Sequence, residues 1–515
     1  MGKDTTNFKS VILCAVIAFL HTIVTFMTDK SIFVWPDRAS NAYRWAVADY
    51  IICKIIVFAL LLLIYQGLYI LVFTKSEIKQ KILEMVKIAL PYLLVITVVM
   101  IIKLPQGFLT NDENAIYADA ISLTHDTWFN YLTTYYYIVS LMILPFKYAP
   151  IIFKALLQLL AVAYVVYRIK KYFGTRLGMW GYILFLMYPI IAYTTSAHRL
   201  PIYFLMYLML YAKLLFDGLE GATLNATNGA IILITGAVLT QWRTEGIYMF
   251  ALIPILCLFV YANIRKVKKF AILIITYVII QYLFSIPQNG FTANGIDGAA
   301  NDRMKPFYAY TITNMYRNGL DLDKNAADLA IVDRYLSLDT IVAINEYYGD
   351  INYEDVLILY KEGFMGVRED ATVEDFINYS DALKRIFVNN PDVFIRTRIG
   401  AFIYAALPYH INYSGLSPKA FISFGISIVK SLAYNLFIPL WICALLCIYS
   451  LIRRRWYSFF VFGGLLAHWL IVFVLAPASY FKYYFPIYIM SYFYVLVIAL
   501  WLYRNRKDEL KSPVW

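Results

Sequence analysis

Charged residues are scarce in this sequence. Asp, Glu, Lys and Arg make up only 15% of the 515 residues, whereas hydrophobic residues make up 61%. A water-soluble chain could not bury so much apolar surface in one core, so the composition predicts a chain whose main solvent is lipid. Cysteine is rarer still, and its position in apolar runs argues against a disulfide framework and against a zinc site with usable spacing. The five residues are Cys14, Cys53, Cys257, Cys443 and Cys447.

Acidic residues are fewer than basic ones, 33 against 45, and the formal net charge is +12. A basic chain can bind nucleic acid. Here, however, the basic residues cluster in short segments between apolar runs, which is the pattern that sets orientation in a membrane. The sequence therefore predicts the lipid bilayer as a partner and no nucleic acid.

Long apolar runs recur along the chain, and a run of about twenty residues spans the hydrocarbon core as a helix. The run at 229–263 is too long for one span, and its polar centre at 241–246 predicts two helices joined at a membrane surface. The first run, near 10–28, has no small-residue cleavage site and is predicted to be a retained helix. The fold class is thus an all-α polytopic membrane protein with about twelve transmembrane helices. The other spans are near 49–73, 86–103, 147–167, 177–195, 199–216, 268–285, 432–451, 457–475 and 484–503.

The basic clusters fall on one side of the membrane if there are twelve spans, and the positive-inside rule assigns that side to the cytoplasm. Both termini are then cytoplasmic, whereas the hydrophilic segments 104–146 and 286–431 face outwards, the second as a small folded subdomain. For this to hold, the apolar stretch 131–145 must not span. It has about fifteen residues, is rich in Tyr and ends at Pro145, which predicts an interfacial helix within the first outer loop.

Two adjacent carboxylates, Asp112 and Glu113, are the strongest local signal for chemistry. They follow the predicted span that ends near Lys103, where low dielectric can raise the pKa of a carboxylate and suit it to act as a general base. A pair can also divide proton removal from metal or substrate binding, which makes Glu113 a candidate metal ligand. An acidic cap that solvates the start of a helix explains the same residues equally well.

Several other polar groups face the same side under this topology. Interfacial snorkelling explains most of them singly, and a salt bridge that closes a turn explains Arg243 with Glu245. As a set, they bring fixed positive charge to the face of the carboxylate pair, which suits phosphate or pyrophosphate leaving a lipid-linked sugar. The set comprises His125, Asp126, His198, Arg199, Arg243, Glu245, Arg396, Arg398 and Lys482.

The layout resembles the GT-C superfamily of polyprenyl-phosphate-sugar-dependent glycosyltransferases, whose relatives include protein O-mannosyltransferases and aminoarabinose transferases. In that family a first core helix leads to an outer loop with Asp or Asp-Glu followed by Tyr and a small residue, and Asp112 and Glu113 with Tyr117, followed by Ala118 or Ala120, are similar to this motif. The resemblance implies four segments. They are two additional N-terminal transmembrane helices at 1–85, a catalytic core at 86–285 with the outer loop 104–146, an extracytoplasmic subdomain at 286–431, and C-terminal helices with a cytoplasmic tail at 432–515.

The resemblance also implies an inverting transfer of a sugar from a polyprenyl-phosphate donor to a cell-surface glycan, teichoic acid or lipid in a bacterial plasma membrane. Asp112 would be the general base, with Glu113 as its neighbour or a metal ligand. The stretch 479–486 is similar to an Arg-Tyr stretch in many relatives, so Lys482 would hold the donor phosphate, although Lys cannot make the bidentate contact of Arg. Other candidates for phosphate or acceptor binding are Tyr117, His125, Arg199, Arg243, Glu245 and Arg398. Beyond the lipid-linked donor, only a divalent metal is suggested as a cofactor.

Other functions stay open. A surface-polysaccharide polymerase or ligase would also use outer Arg residues but would not need an Asp-Glu pair so close to the first core helix. A transporter or flippase of lipid-linked saccharides would place ionisable residues near the bilayer midplane. Here Lys54, Lys154 and Lys213 lie near span ends, where snorkelling is expected. A non-catalytic scaffold would leave the outer carboxylates and cations without a common purpose.

Overall fold

Helices form the architecture of the computed structural model, which describes residues 8–103, 111–125, 129–194, 199–294, 299–348, 366–409 and 418–504. Contacts divide the chain into two compact units. The first unit comprises Met1–Gln288, Arg455–Ser458 and Tyr492–Trp515, and the second comprises Asn289–Arg454 and Phe459–Ser491.

The helices are, in chain order, α1 (Phe8–Ile32), α2 (Asn41–Phe73), α3 (Glu77–Lys103), α4 (Asn111–Ser122), α5 (Tyr131–Ile143), α6 (Ala149–Phe173), α7 (Thr175–Gly178), α8 (Gly181–Leu186), α9 (Tyr188–Thr194), α10 (Leu200–Leu219), α11 (Ala226–Trp242), α12 (Met249–Val260), α13 (Val267–Asn294), α14 (Ala299–Arg317), α15 (Ala326–Val332), α16 (Leu338–Tyr348), α17 (Val373–Asn389), α18 (Pro391–Ala406), α19 (Pro418–Ala433), α20 (Phe437–Ile452), α21 (Trp456–Leu475) and α22 (Phe485–Arg504).

Within the described ranges, nine helical segments are long and apolar enough to cross a membrane. A helix rises about 1.5 Å per residue, so about twenty residues cover the hydrocarbon core while every backbone group in the helix interior stays hydrogen-bonded. The chain is therefore an all-α multi-pass membrane protein. The nine segments are Lys9–Ile32, Asn41–Phe73, Glu77–Lys103, Ala149–Phe173, Leu200–Leu219, Val267–Gln288, Ile422–Ile452, Trp456–Leu475 and Phe481–Arg504.

The predicted count of twelve stays a prediction, because the three other predicted spans do not form long continuous helices. The stretch 177–195 is divided among α7, α8 and α9, and each of these has seven residues or fewer. The overlong run at 229–263 breaks at its polar centre, as expected. It gives α11 with 17 residues and a second apolar segment of the same length, Thr244–Val260.

The demoted stretch 131–145 folds as α5, which has 13 residues and is too short to span a bilayer. The side chain of Asn130 caps its start, because its Oδ1 accepts a hydrogen bond from the backbone N of Leu132 at 3.0 Å. Pro145 follows its C-terminal end and cannot continue the helix. Most α5 side chains are buried, so the helix lies within the first unit and is not exposed along one whole face.

An N-terminal hairpin of α1 packed against α2 carries a buried ion pair. The ammonium of Lys54 contacts the carboxylate of Asp29, and their side chains are only 7% and 5% exposed. Lys54 also donates to Thr25 Oγ1 at 2.5 Å, and the Tyr50 hydroxyl donates to Asp29 Oδ2 at 2.5 Å. The expectation that Lys54 snorkels is therefore wrong, since its charge is neutralised inside the hairpin.

The second unit has its own hydrophobic core, formed where α14 and α16 meet and where α15 packs against α17. Its fully buried members include Ile312, Val332 and Ile386. The start of α17 is fixed by a capping box in which the Thr372 side chain accepts from the backbone of Asp375, whose carboxylate in turn accepts from the backbone of Thr372. Of the predicted helical stretches 323–347 and 353–388, residues 353–365 lie outside the described ranges.

Candidate functional site

The carboxylate pair lies in the first turn of α4, where both charges face the positive end of the helix dipole. The two side chains differ in exposure. Glu113 is only 1% exposed, whereas Asp112 is half-buried. A carboxylate enclosed like Glu113 must be stabilised by nearby charge or hydrogen bonds, so its surroundings define the candidate site.

Tyr137 on α5 shows which groups surround the pair. Burial raises the pKa of its phenol well above the usual value, and the negative charge of Glu113 raises it further. Tyr136 and Asp112 act in the same direction, whereas the cation of Arg199 opposes them. Asp112, Glu113 and Arg199 therefore all lie near enough to influence a phenol that stays protonated and can donate a hydrogen bond.

Lys154 on α6 adds a second basic side chain to this group. Its side chain is buried, it interacts electrostatically with Glu113, and its Nζ donates to the carbonyl oxygen of Tyr193 at 3.4 Å. The expectation that Lys154 snorkels is therefore wrong. The sequence did contain one indication that Lys154 belongs to a buried site. It is a lysine within an apolar run, and such a residue usually faces the protein interior. Tyr137 offered none, since it is one of many aromatic residues.

Arg199 immediately precedes α10. Its guanidinium carbon lies 4.4 Å from the centre of the Phe129 ring, a cation–π distance that holds the planar group in place. The backbone carbonyl of Arg199 accepts a hydrogen bond from the indole of Trp242 at 3.3 Å, so the end of α11 is tied to the start of α10.

Arg243 and Glu245 lie in the turn between α11 and α12, and they form an ion pair whose side chains are largely buried. The interpretation of the two residues as a salt bridge that closes a turn is confirmed. Gly246 comes next in the chain and packs closely against the backbone of α11, because a Cβ atom there would lie 2.3 Å from the backbone oxygen of Leu239. A substrate-binding role for this pair stays a prediction.

His125 lies after α4 and bonds to the N-terminal hairpin. Its Nε2 is 2.8 Å from Asp49 Oδ2, and the Tyr135 hydroxyl donates to the other oxygen of Asp49 at 2.5 Å. The side chains of His125 and Asp49 are almost fully buried. Tyr117 lies on α4, and the ammonium of Lys147 lies 5.8 Å from the centre of its ring.

Arg398 and Lys482 belong to the second unit. Arg398 on α18 is 1% exposed, and it donates to the carbonyl oxygens of Phe473 at 2.6 Å and of Ala476 at 3.0 Å. These carbonyls end α21, so the guanidinium stabilises a helix C-terminus. The ammonium of Lys482 lies 4.6 Å from the centre of the Tyr480 ring. A phosphate-binding role for either cation stays a prediction.

Three further candidates complete the predicted set. Arg396 is exposed and lies 3.8 Å from Asp392 one helical turn away. Asp126 and His198 lie outside the described residues. A metal site at Glu113 also stays a prediction, and within the described part of the chain no group of three or more His, Cys, Asp or Glu side chains is arranged to hold an ion.

Comparison with other proteins adds no further support. No model of a protein family, no curated protein and no solved structure matches this chain. Membership of the GT-C superfamily is therefore still a prediction from the sequence, and function has to be inferred from the residues that the fold brings together.

Proposed function

We propose that the chain is a membrane glycosyltransferase of the GT-C type. It moves a sugar from a polyprenyl-phosphate donor to a hydroxyl of an extracytoplasmic acceptor, a cell-surface glycan, teichoic acid or lipid, in a bacterial plasma membrane. The observation that supports this most is the grouping of Asp112 and Glu113 with the cation of Arg199 around Tyr137. Acid–base catalysis next to a developing phosphate anion needs carboxylate and fixed positive charge together.

Asp112 is the general base in this proposal, because it is the less buried of the two carboxylates and an acceptor hydroxyl can approach it. It takes the hydroxyl proton as the acceptor oxygen bonds to the anomeric carbon of the sugar. The bond between that carbon and the phosphate oxygen breaks, and its electron pair leaves with polyprenyl phosphate. Attack opposite the leaving group inverts the anomeric carbon.

Arg199 is the cation that we assign to the leaving phosphate, because its planar donors match phosphate oxygens and its ring contact with Phe129 fixes its orientation. Glu113 and Lys154 lie deeper, and they interact electrostatically with each other. Arg398 is assigned to the end of α21 instead, because backbone carbonyls already occupy two of its donor atoms.

The test is transfer of radiolabelled sugar from a panel of polyprenyl-phosphate donors by the purified full chain in detergent. Asp112→Asn keeps the size of the side chain and removes the base, so we expect the rate of transfer to fall by about 10²–10⁴-fold. Asp323→Asn is the matched control, because Asp323 is an exposed carboxylate of the second unit. Thermal unfolding and gel filtration establish that both variants are folded.

Wild-type transfer that survives Asp112→Asn would contradict the assignment of the base. A comparable loss in Asp323→Asn would show that the assay responds to charge or stability and not to the site. Absence of transfer from every donor, together with movement of lipid-linked saccharide across vesicles that contain the protein, would replace the enzyme by a transporter.

A transporter of lipid-linked saccharides is the second candidate, and one observation favours it. Asp29 and Lys54 form an ion pair inside two candidate spans, and ionisable groups buried in spans commonly mark transport pathways. Reconstituted vesicles with a fluorescent lipid-linked saccharide test it. Neutralising both residues in Asp29→Asn/Lys54→Met would abolish movement in a transporter and leave sugar transfer intact in the enzyme.

A further inference from the structure

The ends of three helices in the first unit line a partly open cavity of about 460 Å³. Lys171 and Tyr172 come from the last turn of α6, Glu220 follows α10, and Trp501 and Arg504 come from the last turn of α22. All three helices belong to candidate membrane spans. The cavity therefore lies where spans end, away from the carboxylate pair at the start of α4.

The lining carries two cations and one carboxylate, so it has one positive charge in excess. Lys171 Nζ is 2.8 Å from Glu220 Oε2, and Lys171 is still half exposed. Arg504 donates to the backbone carbonyl of Tyr172, and its guanidinium carbon lies 5.5 Å from the centre of that residue's ring. Among the described residues, no carboxylate lies within ion-pair distance of Arg504.

The nearby carboxylates do not balance the excess positive charge of the cavity, because each already forms an ion pair with another basic residue. Asp217 Oδ1 is 2.9 Å from Arg168, and its other oxygen accepts from Lys213 at 3.0 Å and from the Tyr261 hydroxyl at 2.6 Å. Glu84 is 2.7 Å from Lys170. None of these carboxylates offsets the excess positive charge of the lining.

We propose that this cavity binds the phosphate of an anionic phospholipid headgroup. A phosphodiester carries one negative charge and accepts hydrogen bonds from guanidinium and ammonium groups. Aromatic residues such as Tyr172 and Trp501 suit the headgroup level of a bilayer, where basic pockets between helices bind anionic lipids. Beside Arg504, Leu502 and Tyr503 are 49% and 58% exposed, which gives the acyl chains an apolar surface that free phosphate would not need.

The experiment is native mass spectrometry of the full chain in detergent, titrated with dioleoylphosphatidylglycerol or with dioleoylphosphatidylcholine. We expect phosphatidylglycerol to bind more tightly. Arg504→Gln should weaken its binding about fivefold, since one basic group near an anionic surface contributes about that factor. Arg504→Lys keeps the charge and should retain most of the binding. Lys324→Gln removes one charge from an exposed position of the second unit, outside the candidate spans, and is the matched control, expected to bind like wild type.

A variant that is expected to tighten lipid binding distinguishes an effect on binding from an effect on folding. Glu220→Gln removes the one carboxylate of the lining and should tighten the binding of phosphatidylglycerol, which a damaged fold would not do. Equal affinity for the two lipids, or equal effects of Arg504→Gln and Lys324→Gln, would overturn the proposal. Complete displacement of the lipid by an equal concentration of inorganic phosphate would assign the cavity to free phosphate instead.

Discussion

Neutralising Asp29 is expected to destabilise the N-terminal hairpin more than any change to a surface charge. In Asp29→Asn the carboxylate opposite Lys54 disappears, while the ammonium stays among Thr25, Tyr50 and Phe26, whose ring centre is 4.4 Å from Lys54 Nζ. Both partners are less than a tenth exposed in the native protein. Water cannot replace the lost anion at that depth without opening the contact between α1 and α2.

Removing one partner of a buried ion pair typically costs about 3–5 kcal/mol, because the other charge stays buried and uncompensated. The amide oxygen of Asn can still accept the hydrogen bond from Tyr50, so we expect about 3 kcal/mol, the lower end of that range. The double variant Asp29→Asn/Lys54→Met buries no charge. It should therefore be more stable than Asp29→Asn alone, since well-packed neutral residues can replace a buried pair at little cost.

Unfolding by titration with SDS in mixed micelles, followed by circular dichroism at neutral pH, measures these free energies. Lys81→Met is the control, because it breaks the exposed pair of Lys81 and Glu77, which are 3.8 Å apart, and exposed pairs contribute about 0–1 kcal/mol. A cost below about 1 kcal/mol for Asp29→Asn would refute the reasoning. So would a double variant less stable than the single one.

Two further predictions concern the backbone and a helix cap. Gly246→Ala should lower the stability by about 1–3 kcal/mol, because the new Cβ would lie 2.3 Å from the backbone oxygen of Leu239. Gly67→Ala is the comparison, because its Cβ would enter open space and should stabilise α2 by about 0.5–1 kcal/mol. Thermal unfolding in detergent measures both variants. Hydrogen bonds from Thr372 lower the pKa of Asp375, so the stability they give is present above the ordinary Asp pKa and is lost as the pH falls through the lowered value. Thr372→Val should shrink that acid-side loss in melting temperature between pH 6 and pH 3, and an unchanged loss would contradict the assignment.

The long apolar runs could be predicted from the sequence because a span needs only length and hydropathy. The run at 177–195 meets that criterion and still breaks. Pro189 lies in its second half, and Gly178 packs so closely on α6 that a Cβ atom there would lie 2.5 Å from Lys170 Cβ. Such close approaches depend on which helices become neighbours, which a hydropathy pattern along one segment does not contain.

Some residues of the candidate site could likewise be predicted from the sequence, whereas others could be found only from the packing of the helices. Asp112 and Glu113 could be identified from the sequence, because two adjacent carboxylates directly after a span are energetically unfavourable and can be recognised in a short stretch of residues. Tyr137 and Lys154 joined them only through the packing of α4, α5 and α6. For Arg398 the sequence showed a cation near a span, whereas the structure shows it bonded to the end of α21.

The hairpin of α1 and α2 holds the far end of α4 at two points. The backbone N of Val34 donates to the carbonyl oxygen of Ile121 at 2.7 Å, and Asp49 bonds to His125 at 2.8 Å. Both helices precede α4 in the chain, so they are synthesised before it. Shortening the chain to begin at the predicted core would remove both anchors, so the N-terminal pair belongs to any fragment meant to keep Asp112 and Glu113 in register.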